Sequence, residues 1–122
     1  MSIQLTPSQM NAYRKSARER ENSRRKLLDD RRQHAWNIAN KAASILKVEY
    51  GAERVVVFGS LVHPELFHLR SDIDLAVWGI KDYFRAVSRL LDIDPDIDFD
   101  LVPIEDAGPG VLSAIENEGL DL

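Results

Sequence analysis

Val55-Val56-Val57-Phe58-Gly59-Ser60 and Ser71-Asp72-Ile73-Asp74-Leu75-Ala76-Val77-Trp78, with eleven residues between Ser60 and Asp72, are the stretches on which the fold turns. The first is apolar at four consecutive positions, the pattern of a short strand buried on both faces. It runs into Gly59, which lets backbone amides approach a phosphate where a Cβ would clash, and Ser60, which adds a hydroxyl donor. In the second stretch the two-residue period of a strand puts Asp72 and Asp74 on one face, with Ile73 and Leu75 turned the other way.

Two carboxylates on one face call for a third on a neighbouring strand, and Asp96-Ile97-Asp98-Phe99-Asp100-Leu101-Val102 supplies it. Ile97, Phe99 and Leu101 share one side, Asp98 and Asp100 the other, so either acid could face the pair. Asp100 is preferred because it sits deeper in the apolar segment; Asp98 is the alternative. Carboxylates about 5 Å apart repel by roughly 3 kcal/mol at an effective dielectric of 20, so three converging acids need a cation. Oxygen-only ligands point to Mg²⁺.

Composition bounds the rest. A chain of 122 residues that is 44% hydrophobic forms one domain with a modest core. It has no Cys, which excludes disulfides and thiolate metal sites, and its apolar runs are too short to cross a bilayer. Nothing resembles a signal peptide, so a cytoplasmic location is expected. The net charge of −4 hides an asymmetry: residues 1–33 carry nine Lys or Arg against four acids, and residues 34–122 carry seven against sixteen. The chain reads as a basic arm on an acidic body.

The arm opens with Thr6-Pro7-Ser8-Gln9, an N-cap, a proline at the first helical position and a capping-box Gln. No Gly or Pro follows until Gly51, a C′ residue after Tyr50. Unbroken, this helix is roughly 60 to 65 Å long. Leu27, Leu28, Ala35, Ile38, Ala42, Ile45 and Leu46 recur at helical spacing, so its second half packs on the sheet. Its first half has Met10, Tyr13 and Ala17, then Arg20 and Arg24 where a coiled-coil seam needs apolar residues. Such an arm is a solvated helix held by pairs such as Glu21 with Arg25, a nucleic-acid contact, or a protein-binding element in which Arg24, Arg25, Arg31 and Arg32 are the residues to test. Downstream, Lys81 to Leu91 reads as an amphipathic helix with Phe84, Val87, Leu90 and Leu91 inward. Asp94-Pro95 turns the chain, and Val111, Leu112 and Ile115 mark a short closing helix that stops at Glu118-Gly119.

Val57-Phe58-Gly59-Ser60, Ser71-Asp72-Ile73-Asp74-Leu75 and Phe99-Asp100-Leu101-Val102 together resemble the signature of the minimal nucleotidyltransferases of the DNA polymerase β superfamily, the antitoxin type paired with a HEPN-domain toxin. Any one of these motifs alone is weak; in this order, on predicted strands, they are specific. The resemblance departs at Leu61-Val62-His63, where many such antitoxins carry an Arg, and the nearest cation is Arg70.

The resemblance implies an α/β (α+β) fold in which a small mixed sheet has flanking helices, with residues 1–33 as a basic helical arm and 34–122 as the nucleotidyltransferase domain. It implies two Mg²⁺ ions held by the catalytic acids Asp72, Asp74 and Asp100, with Gly59, Ser60, Ser71 and Arg70 on the nucleotide. By the same resemblance, AMP passes from ATP to a protein hydroxyl, a tyrosine of the HEPN toxin, which the chain thereby neutralises. The alternative is a non-catalytic antitoxin that occludes its toxin through the long helix. Assembly with that toxin is expected; a direct nucleic-acid partner is disfavoured. His34, His63 and His68 lack metal spacing and are given no catalytic role. Trp36 and Trp78 are read as core, and Tyr13 and Tyr83 as conceivable self-modification sites at most.

Overall fold

The computed structural model of the chain describes residues 4–122. Helix α1 runs unbroken from Pro7 to Tyr50, 44 residues and about 66 Å. Its start is the expected capping box: the Thr6 hydroxyl accepts from the Gln9 N–H and the Gln9 side chain accepts from the Thr6 N–H. Its end is Gly51 at φ 70°, a left-handed conformation that costs glycine nothing.

Four strands form one mixed sheet in the order β3-β2-β1-β4. Strand β1 (Arg54–Phe58) leads through a 3-10 turn (Gly59–Val62) and a loop into β2 (Ile73–Trp78), its antiparallel neighbour. Helix α2 (Tyr83–Leu91) then carries the chain back to β3 (Phe99–Pro103), parallel to β2. A second short 3-10 turn (Ile104–Asp106) precedes α3 (Pro109–Glu118), and β4 (Leu120–Asp121) pairs antiparallel with β1.

The sheet is covered on both faces, which explains why Val55 to Phe58 are all buried. Val55, Val57, Ile73, Leu75, Val77 and Leu101 pack against α1 and α2, through Ile38, Ala42, Leu46, Ala86 and Leu90 among others. Val56, Phe58 and Ala76 pack on the other face against Ile115 of α3. That second face also carries Asp74, because Asp74 stands opposite Phe58 and two residues before Ala76. Only part of it is roofed.

Several sequence expectations change. Leu27 is 59% exposed, so the docked half of α1 begins at Leu28. On α2, Phe84 is 82% exposed and Leu91 is also exposed. The stripe that packs is Tyr83, Ala86, Val87 and Leu90, one helical face, and the helix starts at Tyr83 after its cap at Asp82. On α3, Ile115 is buried but Leu112 is exposed. Arg31 and Arg32 are not free: Arg31 donates to the Asp96 carbonyl, and Arg32 donates twice, at 3.1 and 2.8 Å, to the carbonyl of Leu61. Strand β4 has no counterpart in the sequence reading; its Asp121 carboxylate accepts from Arg54 at 2.7 Å. Among the described residues no helix is long and apolar enough to cross a membrane.

Candidate active site

The sheet brings three aspartates to one end of its half-open face. Asp74 is the second residue of β2 and stands opposite Phe58 on one side and Asp100 on the other. Asp72 precedes the first strand residue, Ile73, so it lies just outside the ladder rather than within it. Asp98 takes a different part: its carbonyl accepts the Ile73 N–H at 2.9 Å and so fixes the parallel register, while its side chain is exposed. Register therefore puts Asp100, not Asp98, beside Asp74.

Half-burial and the neighbouring charges of Asp100 and Asp72 push the Asp74 carboxyl up, from 3.8 to about 6. Burial is the larger cause, and the two neighbouring acids add to it. Among the described residues no three such groups are closed into a ready cage. A cation that keeps several waters and shares its shell with phosphate oxygens needs no such cage.

Gly59 explains how a carboxylate fits under the turn. At φ 77° it is in a region L side chains avoid, and a Cβ built on it would collide with the Asp74 carboxylate oxygen. The missing Cβ is a space that Asp74 uses, a role additional to the backbone approach expected from sequence. Ser60 is half-buried, and its carbonyl accepts the His63 N–H to close the turn. Arg32 grips the same turn from α1 at Leu61. No local signal in the sequence marks that contact. An all-oxygen donor set and a half-buried carboxylate whose ionisation its neighbouring acids oppose fit a divalent cation.

The remaining sequence candidates lie around this centre. Ser71 is buried, and its hydroxyl accepts from the His68 N–H at 2.9 Å, which stitches the loop just before Asp72. Arg70 is exposed on the rim facing α1. His63 is held between Glu65 at 3.2 Å and Glu118 at 2.6 Å, and His34 pairs with Asp94. Trp78 lies at the other end of β2 with the Arg54 guanidinium 4.5 Å above its ring, so it is remote from the aspartates. The Tyr83 hydroxyl is engaged by the Leu101 carbonyl at 2.8 Å, whereas Tyr13 is exposed on the arm.

Comparison with known proteins bears on the fold. The chain is similar in structure to a toxin–antitoxin MntA–HpeT mutant complex, at 21% identity with a TM-score of 0.55, covering 68% of this chain and 70% of that one. A toxin–antitoxin structure with AMP-PNP matches at 22% identity and a TM-score of 0.53, covering 70% and 69%. A tri-AMPylated Shewanella oneidensis HEPN toxin in complex with its MNT antitoxin matches at 20% and 0.53, covering 71% and 70%. No curated protein matches the chain. Residues 40–122, which hold every strand and all three aspartates, match the family described as polymerase beta, nucleotidyltransferase. The chain belongs to the polymerase β nucleotidyltransferase family.

Proposed function

We propose that this protein transfers AMP from ATP to a protein hydroxyl, a tyrosine of a HEPN-domain partner, and acts in that way as an antitoxin. The observation that carries the reading is the register of Asp74 against Asp100 beneath the Gly59 turn, with Asp72 alongside. The likeness to structures of a toxin–antitoxin pair with AMP-PNP and of a tri-AMPylated HEPN toxin with its MNT antitoxin supports the choice of nucleotide and acceptor.

In this reading Asp72, Asp74 and Asp100 hold Mg²⁺, which when bound neutralises the phosphate charge and favours ionisation of the attacking hydroxyl. Gly59 and Ser60 take the β- and γ-phosphates through backbone N–H groups and the serine hydroxyl, while Ser71 and Arg70 border the nucleotide. The acceptor oxygen attacks the α-phosphorus, the bond from that phosphorus to the bridging oxygen breaks, and pyrophosphate leaves. Asp100 would hold the cation nearest the acceptor and in that way favour loss of the hydroxyl proton to solvent. The residues contribute positioning and charge compensation rather than covalent chemistry.

Incubation with ATP, Mg²⁺ and the neighbouring HEPN protein, followed by intact-mass measurement, tests the reading. One or more added adenylyl groups are expected on the partner; an unchanged mass sinks it. The long exposed helix favours one alternative, neutralisation by occlusion alone. Combined Asp72→Asn and Asp74→Asn substitution separates the two, because neutralisation that survives it belongs to occlusion.

A further inference from the structure

Helix α1 leaves the domain at the end of the sheet where the aspartates stand. Its last turns are tied to the opposite end, where Lys47 donates to the Leu122 carbonyl and the Leu122 N–H donates to Val55. Its middle is tied to the carboxylate end through Arg32 on Leu61 and Arg31 on Asp96. Residues 7–27 of α1 therefore project beyond that end of the sheet.

Where the arm passes the loop leading to Asp72, a groove of about 300 Å³ opens, lined by Arg24, Leu28, Phe67, His68, Leu69 and Arg70. Its floor is apolar: Phe67 is buried, Leu28 half-buried, and Leu69 presents half of its surface. Its lips are the two arginines, and none of the lining residues is acidic. Arg24 also lies 3.8 Å from Glu21, but both side chains are well exposed, so that pair holds it weakly. Arg70 precedes Asp72 by two residues. Only the wall built by α1, Arg24 and Leu28, lies outside residues 40–122; Phe67 to Arg70 belong to the common family body.

We propose that this groove docks an acidic segment with an apolar anchor, carried by the protein that accepts the nucleotide, and so delivers that protein's hydroxyl to the aspartates. The proposal rests on the transferase reading above and names how its acceptor is held. Two cations around an aliphatic and aromatic floor complement carboxylates flanking a leucine-like side chain. A nucleic-acid backbone would satisfy the arginines and leave the exposed half of Leu69 without a counterpart.

The test is fluorescence anisotropy with a labelled peptide alternating Glu and Leu, compared with Lys–Leu and all-Glu peptides of equal length and with a labelled oligouridine. The Glu–Leu peptide binds about tenfold or more tightly than each of the other three probes, and Arg24→Glu and Leu69→Asp each weaken it about fivefold or more. Affinity for AMP-PNP in Arg24→Glu stays within about twofold of the parent, because Arg24, unlike Arg70, is not assigned to the nucleotide. Equal binding of the peptides, preference for oligouridine, indifference to both substitutions or a loss of AMP-PNP affinity each overturns the proposal. Groove-dependent peptide binding in a protein that transfers no AMP removes the proposed activity alone. AMP transfer without groove-dependent binding removes the docking alone.

Discussion

Replacing Asp74 with Asn should make the protein more stable while abolishing its proposed activity. The Asp74 carboxyl rises from 3.8 to about 6 on folding, because burial and the charges of Asp100 and Asp72 oppose its ionisation. A carboxyl whose folded pKa is raised binds its proton more tightly in the native state. Its ionisation therefore costs stability in full above about pH 6, and the cost fades as the pH falls from there towards 3.8. A rise of about two in pKa corresponds to roughly 3 kcal/mol. The side chain is only half-buried, so water screening cuts this to about 1–2 kcal/mol. At about 4 °C per kcal/mol for a domain of this size, Asp74→Asn should melt about 4–8 °C higher than the parent in EDTA near pH 8. The gap should close near pH 4. Mg²⁺ should raise the melting temperature of the parent and leave the variant nearly unmoved, while AMP transfer by the variant falls about 100-fold or more. A variant that melts at or below the parent temperature in EDTA at the higher pH would refute the electrostatic account of the site.

Gly59→Ala forces an L side chain to φ 77° and drives its Cβ against the Asp74 carboxylate. We expect a loss of about 1–2 kcal/mol in denaturant unfolding together with loss of transfer, and a fully active alanine variant would show that Asp74 does not need that space. Phe84→Ser should alter unfolding free energy by less than about 0.5 kcal/mol, since the ring is 82% exposed; a large loss would restore the inward reading of Phe84. The Glu118 hydrogen bond raises the pKa of His63. The contribution from His63 is therefore fully present below about 6.5 and lost as the pH climbs through the folded value. His63→Gln should flatten that part of the stability–pH profile, and an unchanged slope would count against the Glu118 contact.

What could be read from sequence divides along physical lines. The capping box at Thr6 and the αL stop at Gly51 are local codes, and both appear in the structure as written. Alternation put Asp74 on one face of a strand, but it could not separate Asp98 from Asp100, which share a parity. Only the parallel pairing of β3 with β2, fixed by a contact 25 positions apart between Ile73 and Asp98, makes that distinction. Phe84 misled because the apolar content of a side chain says nothing about which face of a helix meets the sheet, and here that face runs through Tyr83, Ala86, Val87 and Leu90. Arg31 and Arg32 misled because charge reads as exposure, whereas a long aliphatic stem lets a guanidinium reach a carbonyl across the helix–loop boundary. A two-residue strand such as β4 is too short to leave a pattern.

The grip of Arg32 on Leu61 gives the phosphate turn a mechanical input. Arg32 stands one turn inside the fastened part of α1, which begins at Leu28, with about 37 Å of rod between it and Pro7. A continuous helix does not absorb a sideways load within one turn, so a force applied near Tyr13 acts about Arg32 as torque about a pivot. The carbonyl at that pivot belongs to the turn that starts at Gly59. A molecule that leans on the far end of the rod therefore has leverage on the turn above Asp74 without touching it.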